Sequence, residues 1–321
     1  MSGGVAGCPE LLDCALGWAR TVPCMTHTRA PQTPPMPTGD DERKPAPFFR
    51  YAGGKRRLMP ELLARLPEQF AGRYFEPFVG GGALLFALDV AGSRCTINDA
   101  VPDIATAYEV LRDVPDELVA ELHRLAWRPD EASYYAMRAT DPTDPVKRAA
   151  RIICLNRLCF NGLYRQNRHG RYNTSFGKLK NPQVCDAPLL RADATRLGGV
   201  VITCGDFADA VASAQAGDFV YYDPPYLARS KTSSFVGYSG AGFGEADHRR
   251  LADNIKDLTA RDVHVMLSNS DTPLTRIIYG PSLHLETVDV RRSIAATGGA
   301  RRWDTEVIGT NYALVGSSTR R

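Results

Sequence analysis

Short apolar runs that alternate with helical patterns are the feature that most restricts the fold of this chain. Parallel strands need a long crossover, usually a helix, so this alternation predicts an α/β fold around a mainly parallel sheet covered on both faces. Such sheets bind ligands at the carboxyl ends of their strands. Predicted strands run into acidic residues at Asp99, Asp206 and Asp223, and we expect the functional site at that edge.

The pattern predicts five alternating strands and a closing pair. A helix is expected over 83–91, after the first strand. From about residue 104 to residue 185 helical periodicity dominates, most clearly over 146–159, and the stretch 161–181 is polar, basic and marked by glycine. We interpret this block as a helical insertion that carries a basic hairpin or loop. The predicted strands are 73–75, 95–98, 200–204, 219–222, 263–268, 285–290 and 307–315.

Composition sets further limits on the class of protein. The net charge of +3 is weak evidence for a polyanionic partner, but basic residues crowd between positions 147 and 180. The eight cysteines form no CxxC pair and no metal-binding spacing, so we expect reduced, intracellular thiols and no zinc site. No stretch approaches the roughly 20 apolar residues of a membrane span. Residues 1–45 are rich in proline and are expected to be a disordered extension, with Met25 or Met36 as alternative starts.

A glycine-rich loop, Phe78 to Gly82, follows the first predicted strand. Its glycines permit positive φ and close approach of a ligand. Asp99 lies nineteen residues after Gly80, the offset at which an acid accepts hydrogen bonds from ribose hydroxyls. A tight turn without a ligand explains the glycines alone about equally well. Together with the preceding Glu76, the position of Asp99 favours a nucleoside cofactor.

A second glycine-marked segment spans residues 49–55. Lys55 could pair with a ligand carboxylate while Tyr51 lies against a ring or a sulfonium. Spacing alone favours a simple turn with a solvated lysine.

The segment Asp223-Pro224-Pro225-Tyr226 directly follows the apolar strand 219–222. Prolines lack an N–H and cannot extend a sheet ladder, so carbonyls there are free to accept hydrogen bonds. The amino hydrogens of adenine N6 would bond the Asp223 carboxylate and the Pro224 carbonyl, which favours a pyramidal nitrogen. Tyr226 would stack on the base. An acid and prolines that merely end a strand are the simpler alternative, although this whole segment is less common.

Basic and amide side chains share the stretch 161–181. Arginine and asparagine read base edges, whereas lysine more often contacts phosphates. Solvated surface explains the composition alone, but a neighbouring base-modifying site favours nucleic-acid binding. The residues are Arg165, Arg168, His169, Arg171, Lys178 and Lys180 among Asn161, Asn167, Asn173 and Asn181.

Together these residues resemble the DNA adenine N6-methyltransferases of the Dam type, in the group that places the cofactor motifs before the recognition insert and Asp-Pro-Pro-Tyr. The resemblance runs from about residue 48 to residue 315 and includes the stretches 155–163, 267–272 and 291–301. It implies a Rossmann-like, seven-stranded sheet that uses S-adenosylmethionine, with an inserted helical target-recognition domain. The implied domains are a catalytic part, 46–103 and 190–321, and a recognition part, 104–189.

The resemblance also implies residue roles. Tyr51, where the family usually has tryptophan, Lys55, Asp99 and Asp223 would contact the cofactor or shape its site. Glycines and aromatic or acidic neighbours would line it, and the recognition part would bind double-stranded DNA. The lining residues are Glu76, Phe78, Gly80, Gly82, Asp206 and Phe207; the DNA-binding residues are Phe160, Asn161, Leu163, Arg165, Asn167, Asn173 and Lys178.

Within that set, Phe160 and Asn161 would fill the gap left by the flipped adenine, and Leu163 and Arg165 would read bases. The target is expected to be GATC, although Ser175, Lys178 and Leu179 differ from the residues that usually define it. No metal, no membrane and no obligate protein partner is expected for this cytoplasmic monomer or weak dimer.

Two alternatives stay open on the sequence. Methylation of cytosine N4 uses a similar amine, although that group more often has serine at the position of Asp223. A catalytically silent DNA-binding protein on the same fold is opposed by the intact Asp-Pro-Pro-Tyr segment and glycine loop. A nicotinamide dehydrogenase is more distant, because no proton-transfer partner is evident beside that loop.

Overall fold

Seven strands form a single sheet in the computed structural model, which describes residues 43–50, 55, 57–68, 70–125, 130–167, 169–227, 243–291 and 303–314. The strands are β1 Tyr74–Glu76, β2 Cys95–Asp99, β3 Val201–Cys204, β4 Phe219–Tyr222, β5 His264–Ser270, β6 His284–Arg291 and β7 Trp303–Thr310. Their order across the sheet is β3-β2-β1-β4-β5-β7-β6. The first five strands are parallel neighbours, and β7 lies antiparallel between β5 and β6. The predicted α/β class and seven-stranded sheet are confirmed.

Ten α-helices accompany these strands in the described part of the chain. They are α1 Met59–Leu63, α2 Ala83–Ala87, α3 Pro102–Asp113, α4 Pro115–Leu125, α5 Glu131–Ala139, α6 Pro145–Leu158, α7 Ala187–Leu197, α8 Phe207–Ala210, α9 Glu245–Ala260 and α10 Pro273–Tyr279. Short 3-10 turns span Gly92–Arg94 and Phe160–Gly162. Among the described residues, every helix is too short or too polar to cross a bilayer.

Strand β4 shows why the middle of the sheet is apolar. All its residues are buried, because successive side chains point to opposite faces and both faces are covered. Tyr221 packs into the core shared with α3, α4 and α6, whereas Val220 and Tyr222 pack into a second core with α9 and α10. The site therefore sits at the end of a strand held from both sides.

The first of these cores continues from the sheet into the helical part. It includes Ile97 of β2, Leu111 of α3, Ile152 of α6 and the hairpin residues Tyr164 and Tyr172. The predicted boundary at residue 104 falls inside α3, which packs on β2, β3, α6 and α7. The helical block and the sheet thus share one hydrophobic interior.

Two predicted elements differ from the structure by more than two residues at one end or at both. The helix expected over 83–91 ends at Ala87, because Leu88 is extended and Gly92–Arg94 forms a 3-10 turn that leads into β2. The last strand, expected over 307–315, is β7 at Trp303–Thr310, because its pairing with β6 and β5 includes the polar residues Thr305 and Glu306. An apolar pattern does not detect those polar positions.

The basic stretch contains an antiparallel hairpin. Isolated bridges pair Gln166 with Tyr172 and Cys159 with Phe176. The Asn167 side chain closes the turn, since its Oδ1 accepts hydrogen bonds from the amides of His169 at 2.9 Å and Arg171 at 3.1 Å. We call residues 163–174 the recognition hairpin below.

Replacement of Asp218 by alanine is expected to lower the free energy of unfolding by about 2–4 kcal/mol. This buried carboxylate precedes β4 and accepts hydrogen bonds from the Arg73 amide at 2.6 Å and the Gln215 amide at 2.9 Å. Its loss removes the acceptor of part-buried backbone amides that lie just before β1 and β4. Urea denaturation measures the change.

The matched control for that measurement is Asp253→Ala, because Asp253 is an exposed aspartate of α9 whose carboxylate pairs with the exposed Lys256 at 2.8 Å. We expect a change within about 0.5 kcal/mol for the control. Equal effects of the two substitutions contradict the anchoring role of Asp218.

Candidate active site

The carboxyl ends of four adjacent parallel strands bring the predicted acidic residues together. The order β3-β2-β1-β4 places Asp206, Asp99, the glycine loop and Asp223 one after another along the same sheet edge. Asn98 connects this edge internally, because its Nδ2 donates to the carbonyls of Pro77 at 3.0 Å and Gly205 at 3.1 Å. The expected gathering of these groups at one edge is therefore present.

The glycine loop is fixed by Asp99 and by its own backbone conformation. Gly80 and Gly82 have φ of 45° and 66°, the left-handed region that favours glycine. The Gly80 amide donates to Asp99 Oδ2 at 3.1 Å, and the Val101 amide donates to Oδ1 at 2.9 Å. Burial raises the pKa of Asp99 to about 6, against the opposing effect of these amides. The acid thus holds the loop and lies at the position predicted for a sugar-binding carboxylate.

Asp223 has one oxygen fully engaged. Its Oδ1 lies 2.7 Å from the Lys55 ammonium and accepts a hydrogen bond from Ser268 Oγ at 2.9 Å. Ser268 in turn lies 2.8 Å from the buried Tyr221 hydroxyl. Within the described part of the chain, Oδ2 of Asp223 has no hydrogen-bond partner. A carboxylate held through one oxygen presents the other to an incoming donor.

Lys55 connects Asp223 to Tyr226. The buried ammonium donates to the Tyr226 hydroxyl at 2.5 Å and lies 4.3 Å from the centre of its ring. The short contact to oxygen is the hydrogen bond, and the hydroxyl in turn donates a hydrogen bond to Glu306 Oε2 at 2.7 Å. Burial, with the charges of Asp223 and Glu306, raises the pKa of Tyr226 well above its usual range, so the phenol stays protonated. The spacing favours a solvated lysine, whereas Lys55 is buried and pairs with a carboxylate of the protein.

Glu76, at the end of β1, is almost fully buried. Its Oε2 accepts hydrogen bonds from the Tyr74 hydroxyl at 2.8 Å and the Leu85 amide at 3.2 Å. Burial, opposed by the Tyr74 hydrogen bond and reinforced by the charge of Asp223, raises the pKa of Glu76 to about 8. The group is therefore mostly neutral at neutral pH.

Aromatic side chains cluster beside the glycine loop. Phe78 stacks on Phe207 with centroids 5.5 Å apart, and Phe243 meets both rings edge-on. The Arg250 guanidinium lies 4.3 Å above Phe207 and forms a paired contact with Asp206 at 2.9 and 2.7 Å. The hydrogen bond from Arg250 lowers the pKa of Asp206. Two predicted cofactor residues, Asp206 and Phe207, are thus held by an arginine that the sequence analysis did not select.

The recognition hairpin alternates buried and exposed side chains. Tyr164 and Tyr172 are buried, whereas Arg165 and Asn173 face outwards and Leu163 is half-buried. Because a strand has a period of two, the outward residues are free to meet another surface. Asn167 differs from the other predicted DNA contacts, since its side-chain oxygen is used within the turn.

The remaining predicted contacts flank the hairpin. Phe160 is half-exposed, an unusual state for a large apolar ring, and Asn161 beside it has a φ of 56°. Lys178 also has positive φ, at 51°, and its ammonium lies 3.9 Å from Glu131. Tyr51 and Arg168 lie outside the described residues.

Besides Arg250, sequence reasoning missed Tyr221, Ser268 and Glu306. Ser268 lies in the stretch 267–272 that carries the resemblance, but nothing local gives it a role. Glu306 meets Tyr226 across eighty positions of chain, so only the fold reveals the contact.

Replacement of Glu76 by glutamine is expected to stabilise the protein increasingly as pH rises from 5 to 8. A carboxyl whose pKa is raised in the folded state binds its proton more tightly when folded. The free energy of unfolding therefore falls as the pH rises from 4.5, the ordinary pKa of a glutamate, to about 8, the pKa of Glu76 in the folded protein. Glutamine removes this dependence, and we expect a gain on the order of 4 kcal/mol at the upper end. Urea denaturation at several pH values measures it.

Glu109→Gln, on the exposed face of α3, is the control for the charge change itself. A difference between wild type and Glu76→Gln that is independent of pH contradicts a neutral Glu76.

Comparison with known proteins gives a consistent result. Residues 51–294 match the family of D12 class N6 adenine-specific DNA methyltransferases. The chain is 39% identical over 275 residues to the Type II methyltransferase M1.LlaDCHI of Lactococcus lactis subsp. cremoris, covering 83% of this chain and 95% of that protein. It is 38% identical over 242 residues to the Type II methyltransferase M.MjaIII of Methanocaldococcus jannaschii, covering 70% and 84%. It is 33% identical over 270 residues to the DNA adenine methylase of Escherichia coli (strain K12), covering 83% and 95%.

Proposed function

The chain belongs to the D12 class of N6 adenine-specific DNA methyltransferases, and from this we propose that Asp223, Pro224 and Tyr226 form the site of methyl transfer from S-adenosylmethionine. DNA adenine methylation is the activity of the family, which decides against the cytosine N4 alternative. The site proposal rests on the carboxylate of Asp223, in which Oδ1 alone has partners among the described residues. Its Oδ1 is anchored by Lys55 and Ser268 beside the glycine loop.

The chemistry requires help at the nucleophile. The lone pair of adenine N6 is delocalised into the ring, so the amine must become more pyramidal before it attacks a methyl group. Hydrogen bonds from the two amino hydrogens to Asp223 Oδ2 and to the Pro224 carbonyl favour that geometry and stabilise the positive charge that develops. The Tyr226 ring provides a stacking face for the base, which must leave the duplex to reach this edge.

The described residues fit S-adenosylmethionine, which supplies an electrophilic methyl group when bound. Asp99, at the end of β2, suits the ribose hydroxyls, and the Phe78 and Phe207 cluster suits a purine face. Gly80 and Gly82, both at positive φ, let the backbone approach the cofactor, and Glu76 and Lys55 are proposed to shape the same site. Tyr51 is proposed to complete this set. The methyl donor must lie in line with N6, a positioning task shared by these residues.

The recognition hairpin is proposed to bind double-stranded DNA. Phe160 is exposed next to the hairpin and would occupy the gap left by the extruded adenine, with Asn161 beside it. Arg165, Asn173 and Leu163 would reach base edges, while Lys178 would serve the phosphates. GATC is the proposed target, and we propose a cytoplasmic enzyme that acts as a monomer or weak dimer and needs no metal. We further propose that residues 104–189 act as the recognition part.

Asp223→Ala is expected to abolish methylation while DNA binding stays within a few-fold of wild type, because the reacting base is the only part of the DNA that the carboxylate is proposed to contact. Wild type and variant are expressed in cells without endogenous adenine methylation, and N6-methyladenine is mapped at base resolution. Binding is measured on a duplex that carries the mapped site. We expect methylated adenine in GATC for wild type and none for the variant.

The outcomes of this experiment separate the proposals. Methylation by Asp223→Ala at the wild-type level refutes the role of that residue. Methylation of adenine in another sequence refutes only the GATC target.

Affinity for S-adenosylmethionine is expected to fall as pH drops below about 6, the raised pKa of Asp99. Protonation removes an acceptor for the ribose hydroxyls, so one pH unit below that value the affinity is reduced about tenfold. Calorimetric titration between pH 5 and 8 tests this. Asp99→Asn is expected to bind weakly at every pH, and a variant that retains the wild-type pH dependence contradicts the assignment.

A further inference from the structure

Glu306 reaches the active site from β7, which lies two strands away from β4 in the sheet. It lies on β7, where its backbone pairs with Ser270 of β5 and Val288 of β6, so its position is fixed by strands on both sides. Its carboxylate accepts the hydrogen bond of the Tyr226 hydroxyl at 2.7 Å. No sequence motif described above includes this residue, and the mechanism proposed for Asp223, Pro224 and Tyr226 does not use it.

The charges around Tyr226 give Glu306 a chemical role. Lys55 lies 2.7 Å from Asp223, so the ammonium offsets the charge of that carboxylate. Methyl transfer moves positive charge from a sulfonium towards the base nitrogen. A neutral Asp223–Lys55 pair provides no net charge to stabilise that shift, and Glu306 restores one net negative charge to the group.

Hydrogen bonding gives the same residue control of geometry. The Tyr226 hydroxyl accepts a hydrogen bond from Lys55 and has one proton of its own to donate. It donates that hydrogen bond to Glu306, which sets the rotation of the hydroxyl and the tilt of the ring. The acceptor on β7 thus determines how Tyr226 faces the base and where Lys55 lies relative to Asp223.

We propose that Glu306 is a positioning residue of the methyl-transfer site that holds Tyr226 and Lys55 and supplies the net negative charge of the pocket. This inference rests on the proposed function, since it assumes that Asp223 and Tyr226 meet the base and that the donor is a sulfonium. It assigns a task to a strand that carries none of the sequence signals of the site.

Glu306→Gln separates charge from shape, because the amide oxygen still accepts the Tyr226 hydrogen bond. We expect kcat to fall roughly 10- to 30-fold, the effect of removing one charge several ångströms away, while KM for DNA and for S-adenosylmethionine changes less than about twofold. Glu286→Gln is the control on the neighbouring strand β6, where the carboxylate pairs with Arg65 at 2.8 Å. The control is expected to keep the wild-type kcat.

The ratio of the affinities for two ligands that differ in charge tests the charge of Glu306, because a purely structural role would not change that ratio. S-adenosylmethionine carries a sulfonium, and its product S-adenosylhomocysteine carries a neutral thioether. By calorimetry, Glu306→Gln is expected to lose severalfold of the wild-type preference for the charged ligand, whereas Glu306→Asp, which keeps the charge, retains it. Equal loss in both variants indicates misplacement of Tyr226 without a charge effect and overturns the proposal.

The remaining outcomes are also decisive. Wild-type kcat in Glu306→Gln overturns the inference and leaves the proposed function intact. A wild-type protein that does not bind S-adenosylmethionine or methylate DNA refutes the proposed function itself. If Glu306→Gln melts well below wild type, the comparison of ligand preference between wild type and Glu306→Asp decides: loss of the preference there overturns the charge role, and retention supports it.

Discussion

The ion pair between Lys55 and Asp223 is the interaction on which the rest of the site depends. It joins the segment before α1 to the end of β4, which are far apart in sequence, in a place largely closed to solvent. A buried ammonium without its partner is strongly unfavourable, so each group fixes the other. The pair also determines which carboxylate oxygen of Asp223 is bonded within the protein. Because Lys55 and Ser268 both take Oδ1, the geometry of the carboxylate towards a substrate follows from contacts inside the protein.

Local patterns in the sequence were sufficient for the sheet and for the acids at its edge. The strand 219–222 and the acids at Asp99, Asp206 and Asp223 are visible because a buried parallel strand is continuously apolar and ends where its polar neighbour begins. The resemblance implied the same number of strands as the pattern did. Helix α2 is shorter than predicted because an apolar residue such as Leu88 continues the pattern after the backbone has become extended.

The hydrogen-bond network could not be predicted in the same way. Its members come from β4, β5, β7 and the segment at Lys55, and pattern analysis treats each segment separately. Composition is also unable to distinguish side chains of one type. Asn167 and Asn173 look alike in a basic stretch, yet Asn167 closes the turn while Asn173 faces outwards. Burial and strand register separate them, and both require the fold.

The hydrophobic interior that α3, α6 and the hairpin tyrosines share with the sheet has a consequence for evolution of the target sequence. A reading element on a flexible tether could shift along the duplex relative to the catalytic pocket. Here the hairpin is part of the same packed body as β4. Under the proposed function, packing then fixes the number of base pairs between the bases that the hairpin reads and the base that is modified. New targets would arise through exchange of outward-facing hairpin side chains, with the spacing inherited unchanged.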